Sequence, residues 1–569
     1  MNLLKPRLRL ISGEILEYIV IYTVALILIA FLLIPFIIMI VQSILKDPLI
    51  LRGSLTVTIE NYLNILSSDL FRRALINSFI VSISTLIITT MLGLLIAFLI
   101  VRTDLPLSSI IHKLIYLPIF LGPLLLSFGW AEIASSKGSI GSALKSLGIG
   151  INVLSIEGII FVTSIWLMPY SYTFMAAGLR SISQELELSA RISGSNMMRA
   201  FIAITIPLLY PFILSSSYLV FVLSFEQFTI PMVLGYSEGI FTLITYILLL
   251  RDLSVPPPYG AIAALGVIVT SIITIFIVIN NMILKRAYRL ITITGRGQIM
   301  KPINLGIFRW PLATLVLIYI VISSVAPIGA LIYRSLRDPG GAFSLINYYD
   351  LFFGGMDIAR RAIINSVVLS ISAAALTLLL SILIVYSRLW GVRIFRYLDW
   401  LFWIPIAMPG LILGIGFLWG FLLLKLWFLY PTLLGLLIAY TVRFFPTGNR
   451  MASSIITQIS PELDHQASIC GATLFTRLRK IIMPIGKLGY MGVFSILVAT
   501  YINEISTSLY LVGPGSEVSS VIMLQLWLHG FMDLLFALAS FQALMVFLII
   551  YIILGVLRIE PSISVGVRV

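Results

Sequence analysis

Long apolar stretches recur along the whole chain and are separated by short polar segments. Four of them, residues 18–42, 74–101, 262–284 and 534–557, are long and dominated by apolar side chains. A helix of about 20 such residues crosses the hydrocarbon core of a bilayer, which is about 30 Å thick. Counting stretches of this kind along the sequence gives about twelve membrane-spanning helices. We therefore predict an all-α polytopic membrane protein.

Composition and charge agree with this class. Of the 569 residues, 60% are hydrophobic and 11% are charged, which is too apolar for an ordinary soluble protein. The first apolar stretch exceeds the ~7–15-residue core of a signal peptide, so we expect it to remain as a helix. The net charge is +14, but Lys and Arg lie in short loops and indicate topology rather than a nucleic-acid partner. A cytoplasmic N-terminus puts about two thirds of them on the cytoplasmic side, which predicts a multi-pass cell-membrane protein with both termini cytoplasmic.

An internal repeat divides the chain into two halves. Residues 72–84 read RRALINSFIVSIS and residues 360–372 read RRAIINSVVLSIS, identical at nine of thirteen positions. Self-similarity of this kind indicates a duplicated structural unit. The Asn-Ser pair inside it is expected to make interhelical hydrogen bonds rather than to bind a substrate. We predict a first half at 1–290, a basic cytoplasmic linker at 291–307 and a second half at 308–569, with about six spans per half in parallel orientation.

A second pair of matching segments lies between the fourth and fifth predicted spans of each half. Segment 181–207 contains ELELSARISGSNMMRAFIAITIP and segment 458–484 contains ELDHQASICGATLFTRLRKIIMP, at a constant offset of 277 residues. Each is polar yet helix-forming, with a glycine that permits a turn and a proline that can begin a helix. The matched positions are Glu185 with Glu462, Leu186 with Leu463, Ala190 with Ala467, Gly194 with Gly471, Ile204 with Ile481 and Pro207 with Pro484.

These two segments resemble the cytoplasmic signature of ABC importer permeases, which reads EAA, three residues, Gly, nine residues and Ile-x-Leu-Pro. Both copies keep this spacing, although EAA is replaced by LSA at 188–190 and by HQA at 465–467. In that family the segment forms two short helices joined at the glycine, docks in a cleft on the ATPase and transmits its closure. The resemblance therefore implies that the chain carries two ATPase-coupling segments.

Over its whole length the chain looks most similar to the fused, two-half ferric-iron permeases of this family. The resemblance implies a permease that forms the translocation pathway of an ATP-driven importer for a small solute. Iron(III) is the solute that the resemblance favours. Thiamine, 2-aminoethylphosphonate, a polyamine and sulfate are the alternatives for the same role. A twelve-helix secondary transporter is a further alternative, but such carriers usually place ionisable residues within their spans, whereas most here lie in loops.

The resemblance also implies the partners. The sequence has no Gly-x-x-x-x-Gly-Lys-Ser/Thr phosphate loop, so no enzymatic activity and no cofactor are expected in this chain. ATP and Mg would be bound by a separate ABC ATPase, in two copies to match the two coupling segments. An external solute-binding protein and the lipid bilayer complete the expected partners, and we expect neither a nucleic acid nor a metal site.

Polar residues beyond the coupling segments are candidates for lining the substrate pathway. Glu226 and Gln227 follow the first segment, and Asn503 and Glu504 follow the second. Counted from the glycines, Glu226 and Glu504 are expected at comparable depths. Paired carboxylates there could attract a cation, since an intramembrane carboxylate is a functional candidate by default. The alternative is that each acid caps a helix or accepts a hydrogen bond from nearby backbone.

Overall fold

The computed structural model describes residues 4–49, 55–135, 138–148, 150, 152–252, 255–288, 302–338, 340–390, 401–402 and 404–556. Within these residues the secondary structure is helical, apart from three isolated β-bridges. The helices before residue 289 are α1 (Leu4–Ser43), α2 (Glu60–Leu66), α3 (Asp69–Arg102), α4 (Ser108–Leu114), α5 (Leu117–Ile133), α6 (Ser139–Ser146), α7 (Ile156–Ser181), α8 (Gln184–Ile192), α9 (Met197–Ala200), α10 (Ile206–Phe225), α11 (Thr229–Leu234), α12 (Leu243–Asp252) and α13 (Tyr259–Tyr288).

The helices described after residue 301 follow the same plan. They are α14 (Arg309–Ile320), α15 (Ala326–Ser335), α16 (Ile346–Phe352), α17 (Asp357–Trp390), α18 (Ile404–Ala407), α19 (Gly410–Leu423), α20 (Leu433–Ile456), α21 (Pro461–Ile469), α22 (Leu474–Arg477), α23 (Met483–Ile485), α24 (Lys487–Ile502), α25 (Ser508–Leu511), α26 (Ser519–His529) and α27 (Met532–Val556). Helices α3 and α17 have equal lengths and lie 288 residues apart, which is the offset of the repeat.

Eight helices of the described chain are long and apolar enough to cross a membrane, and two bent helix pairs bring the number to ten. The bent pairs are 108–133 and 474–502, with bends of 43° and 81°. The shorter apolar helix α19 and the arginine-containing helix α20 occupy repeat positions of spans in the first half. The all-α polytopic fold is confirmed, and the described spans are consistent with the predicted twelve.

Contacts group the described residues into two compact units. Unit 1 comprises those within 1–61, 356–522 and 544–569, and unit 2 those within 62–355 and 523–543. Each unit therefore contains the first span of the other sequence half. Hydropathy identified these spans, but hydropathy carries no information on which helix an apolar stretch will contact. The predicted halves, 1–290 and 308–569, describe the duplication in the sequence and not these compact units. The division into halves stays a prediction.

The exchanged spans pack through the same pair of residue types in both units. In unit 1, α1 lies on α19, and a Cβ added to Gly416 would come within 2.7 Å of Cβ of Pro35. In unit 2, α15 lies on α5, and a Cβ added to Gly129 would come within 2.6 Å of Cβ of Pro327. Small residues let helix backbones approach closely where lipid supplies no hydrophobic driving force. Glycine is therefore required at these two crossings.

The Asn-Ser pair of the repeat holds the start of a short helix in each unit. In unit 2, Asn77 donates to the Phe241 carbonyl at 2.9 Å, and Ser78 Oγ accepts from the N–H of Leu243 at 2.8 Å. In unit 1, the matching asparagine donates to the Glu517 carbonyl and the matching serine accepts from the N–H of Ser519. These pairs make the expected hydrogen bonds between elements, and their partners are backbone atoms at the starts of α12 and α26.

Candidate functional site

The first coupling segment turns at a glycine in unit 2. Helix α8 ends before Gly194, which has φ +92°, and the N–H of Ser195 donates to the Ala190 carbonyl at 3.0 Å. This six-residue closure around a left-handed glycine is a Schellman motif. Ala190 supplies the carbonyl that would otherwise be left unpaired at the helix end, and Gly194 supplies the backbone conformation.

The second coupling segment repeats this turn in unit 1. Gly471 has φ +81°, and the N–H of Ala472 donates to the Ala467 carbonyl at 3.0 Å. The glycine N–H itself donates to the Ser468 carbonyl at 2.9 Å. A Cβ placed at either coupling glycine would meet no atom within 4 Å. Backbone conformation rather than crowding therefore demands glycine, and the four-residue spacing from alanine to glycine follows from the motif.

Beyond each turn the chain enters a π-helical segment, Phe201–Thr205 in unit 2 and Leu478–Ile482 in unit 1. Ile204 and Ile481 lie in these segments, and Pro207 and Pro484 follow them at an α-helical N-terminus. The N–H of the residue before each proline donates a hydrogen bond to the carbonyl five residues earlier, as in a π-helix. The proline itself has no N–H and cannot donate the next backbone hydrogen bond of the helix. The sequence predicted the proline as a helix start and did not predict the π-helical turn.

The coupling helices present exposed faces. Glu185 and Glu462 lie exposed in the first turns of α8 and α21, and the matched alanines are half-buried. Each helix ends in an isoleucine that is 86% exposed, Ile192 in α8 and Ile469 in α21, again 277 residues apart. Both copies therefore leave a large apolar side chain exposed at the same position of the repeat. Sequence analysis did not single out these isoleucines.

An acidic residue anchors the first coupling helix in unit 2. The carboxylate of Glu187 accepts from Thr205 Oγ1 at 2.6 Å and lies 3.6 Å from the guanidinium of Arg102. Arg102 is 3% exposed and also donates to the Ile182 carbonyl at 3.1 Å. A buried guanidinium needs partners. Through these contacts Arg102 links the C-terminal end of α3 to the end of α7 and to the coupling helix α8.

The matching acid anchors the second coupling helix in unit 1. Asp464 is 3% exposed, accepts from the Tyr386 hydroxyl at 2.5 Å and pairs with Arg477 at 2.5 Å. The acidic position is shared at the 277-residue offset, but its partners differ between the units. Aligning the two segments would have shown the shared acid, whereas the non-local partners Arg102 and Tyr386 left no local signal.

The pathway candidates lie just past the C-termini of α10 and α24. Glu226 and Asn503 are the C-cap residues of these helices, so they occupy the same place in the repeat. Gln227 therefore matches Glu504, and both are buried. Gln227 Oε1 accepts from the N–H of Thr229 at 3.2 Å. Asn503 Nδ2 donates to the Ala499 carbonyl of its own helix. The two acids thus stand one position apart in the repeat.

Glu504 forms a buried ion pair with Arg443 inside unit 1. Its Oε1 also accepts from the N–H of Thr507 at 2.8 Å, and Arg443 donates to Thr507 Oγ1 at 2.9 Å. A Cβ at Gly410 would stand 2.1 Å from Cζ of Arg443, so glycine makes room for the guanidinium. Arg443 was not among the predicted pathway residues, although an arginine within a predicted span is itself a signal. Among the described residues, no three His, Cys, Asp or Glu side chains are grouped to hold a metal ion.

Comparison with known proteins gives similarity to transport permeases over about four fifths of the chain. No family model matches the chain. It is 25% identical over 465 residues to the "Putative ferric transport system permease protein FbpB 1" of Haemophilus influenzae, covering 79% of this chain and 71% of that protein. It is 26% identical to the "Ferric transport system permease protein FbpB" of Actinobacillus pleuropneumoniae, covering 79% of this chain and 65% of that protein. It is 24% identical to the "Probable ABC transporter permease protein y4fN" of Sinorhizobium fredii, covering 82% of this chain and 84% of that protein.

Proposed function

We propose that this chain, an ABC transporter permease by its similarity to that family over 79% of its length, is the membrane-spanning subunit of an ATP-driven importer. It forms the translocation pathway for a small solute and is a transport subunit rather than an enzyme. ATP and Mg are bound and used by a separate ATPase, whose conformational changes drive the permease between its inward-open and outward-open states.

One observation carries this proposal: two glycine turns of the same geometry, 277 residues apart, each following a helix that ends in an exposed isoleucine. A rigid turn that leaves an apolar side chain exposed at the helix end, Ile192 or Ile469, suits insertion of that helix end into a cleft on a partner. We call this helix end, with its isoleucine, the tip of the coupling helix. The half-buried Glu187 and the buried Asp464 attach the two coupling helices to transmembrane helices, so a force on a coupling helix reaches the spans. Two such segments provide for two ATPase copies on one chain.

The same assignment sets the topology. The ATPase acts in the cytoplasm, so α8 and α21 face the cytoplasm and both chain termini lie on that side. The loops that contain α6 and α26 then face outward, where an external solute-binding protein delivers its cargo. The excess of Lys and Arg in the predicted cytoplasmic segments supports this orientation independently.

We propose iron(III) as the solute. The support is the naming of two relatives as ferric transport system permeases, with similarity along most of the chain. Thiamine, 2-aminoethylphosphonate, a polyamine and sulfate are alternatives that use the same mechanism with another binding protein. Glu226 and Glu504 are the acids of this region to be tested for an effect on cation passage.

The test is reconstitution of the chain with the ATPase encoded beside it, in proteoliposomes that enclose ATP on the ATPase side. Candidate binding proteins loaded with iron(III), thiamine or 2-aminoethylphosphonate are added from the other side, and hydrolysis and solute uptake are measured together. Stimulation by the iron-loaded protein with matching iron uptake is expected. Stimulation by a different loaded protein would replace the substrate. Failure of any ABC ATPase to associate, with uptake driven by an ion gradient instead, would favour a secondary transporter.

A further inference from the structure

The last residues of the linker between the two halves bind the loop that follows α3. Ile303 and Thr103 form a parallel β-bridge within unit 2. The N–H of Ile303 donates to the Arg102 carbonyl at 2.9 Å, and the N–H of Asp104 donates back to the Ile303 carbonyl at 3.1 Å. The carboxylate of Asp104 accepts from the N–H of Leu305 at 2.8 Å. Three hydrogen bonds therefore fix a short piece of the linker in one register.

The loop that receives the linker is well defined by other contacts. Leu105 is 4% exposed, and Thr103 Oγ1 donates to the Leu99 carbonyl at 2.5 Å. Leu107 has φ +58°, a left-handed conformation that is unfavourable for a residue with a branched side chain. Such a conformation persists only where the surrounding structure determines the backbone.

The same loop begins at the residue that anchors the first coupling helix. Arg102 accepts the linker hydrogen bond through its carbonyl, while its buried guanidinium contacts the Ile182 carbonyl and Glu187. Glu187 in turn accepts from Thr205 in the π-helical segment. An unbroken series of contacts, a hydrogen bond and then an ion pair, therefore runs from the linker through Arg102 to the coupling helix α8.

The second coupling helix has a different support. Asp464 is held by Tyr386 of α17 and by Arg477 of α22, all of them within unit 1. The equivalent of the Arg102 guanidinium is thus supplied from the coupling segment itself. The two halves share the acid and the glycine turn, and they differ in what fixes the acid.

We propose that the docked end of the linker is a positioning element for the first coupling segment, and that Asp104 and Arg102 are the positioning residues through which it acts. This inference rests on the proposed function, in which the ATPase binds at these segments. In the fused chain, ATPase binding at the first segment depends on the docked linker, and binding at the second does not. The linker does more than join the halves, and the two ATPase positions are unequal.

The chain offers a matched pair of reporters for the two segments. Cys470 is its single cysteine, is exposed and immediately precedes Gly471. The residue 277 positions earlier is Ser193, which is also exposed and precedes Gly194. The parent chain reports on the second segment, and a Ser193→Cys, Cys470→Ser chain reports on the first. Protection of each cysteine from a water-soluble maleimide is measured as purified ATPase is titrated onto the full-length chain in lipid nanodiscs.

Two pairs of variants separate the linker contact from general damage. Ile303→Pro removes the N–H that donates to Arg102, whereas Ile303→Val keeps it. Asp104→Ala removes the acceptor for the Leu305 N–H, whereas Asp104→Asn keeps an oxygen in its place. Loss of one hydrogen bond predicts that about fivefold more ATPase is needed to protect position 193 in the Pro and Ala variants. Position 470 is expected to be protected as in the parent, and the Val and Asn variants are expected to match it.

The outcomes distinguish the linker proposal from the proposed function. Unchanged protection at position 193 in both disruptive variants, or an equal loss at positions 193 and 470, would overturn the role of the linker. If Ile303→Pro does not yield folded protein, the pair at Asp104 carries the same test. Absence of protection at Cys470 in the parent chain, together with absence of protection at position 193 in the Ser193→Cys, Cys470→Ser chain, would instead contradict ATPase docking itself, and with it the proposed function.

Discussion

Valine at either coupling glycine tests whether the left-handed turn presents the helix tip to the ATPase. Gly194 and Gly471 have φ of +92° and +81°, and an added Cβ meets no atom within 4 Å. The whole penalty therefore comes from the backbone, where a residue with a Cβ costs about 1–2 kcal/mol in this region, and a β-branched residue is a more severe outlier. A penalty of this size shifts the local equilibrium by a factor of about 5–30.

We expect Gly194→Val and Gly471→Val each to weaken ATPase binding by about 5–30-fold, because the turn must adopt its strained form before the tip can dock. Asparagine tolerates the left-handed region, so Gly194→Asn and Gly471→Asn are expected to lose much less. The assay is titration of purified ATPase onto the permease in nanodiscs, followed by solute-stimulated hydrolysis. The asparagine variants control for the presence of a side chain on the exposed turn.

A third glycine supplies a control for strain elsewhere in the fold. Gly239 has φ +72° and equally open surroundings, and it lies beyond the other end of α10, a 20-residue helix about 30 Å long. Gly239→Val should leave ATPase affinity unchanged. Parent-like affinity in both coupling valine variants, or an equal loss in Gly239→Val, would refute the reasoning.

Three further predictions concern buried polar groups. Glu504→Gln leaves the charge of Arg443 buried without its partner and is expected to lower the free energy of unfolding by about 3–5 kcal/mol. Adding Arg443→Gln should recover part of this loss. Equal melting temperatures for the single and double variants would contradict the prediction. Asp464→Asn removes the charge that faces Arg477, so ATPase binding should fall by roughly tenfold, and unchanged binding would remove the anchor role. Ser78→Ala leaves a buried N–H at the start of α12 unpaired and should cost about 1–3 kcal/mol, visible as a lower melting temperature.

The sequence predicted those features that depend on local chemistry. The glycine of each coupling segment was expected to form a turn, and both copies do so at the predicted position. The four-residue spacing from alanine to glycine is that of a Schellman motif, whose hydrogen bonds all lie within six residues. The apolar spans were equally predictable, because a helix in lipid satisfies its backbone within its own residues.

The features that escaped prediction depend on contacts between distant residues. Arg443 and Glu504 are 61 positions apart, and neither has a neighbour in sequence that signals the pairing. The packing of α1 on α19 joins helices from different halves of the sequence, and it depends on a proline, Pro35, and a glycine, Gly416, whose fit appears only in three dimensions. Glu226 and Glu504 were expected only at comparable depths, and the C-cap positions of α10 and α24 place the two acids one position apart in the repeat.

The duplication has kept geometry at the coupling segments and let chemistry diverge within the spans. Both halves retain the glycine turn, the anchoring acid and the exposed isoleucine at one offset, as the proposed docking of one ATPase copy at each segment would require. At the same offset, Gln227 stands where unit 1 has Glu504, and Trp166 stands where it has Arg443. An ion pair costs more to bury than a neutral pair and stabilises only while both partners remain. The ion pair occurs at these positions in one half only. It therefore indicates a requirement specific to that half, because a requirement of the shared fold would apply to both halves.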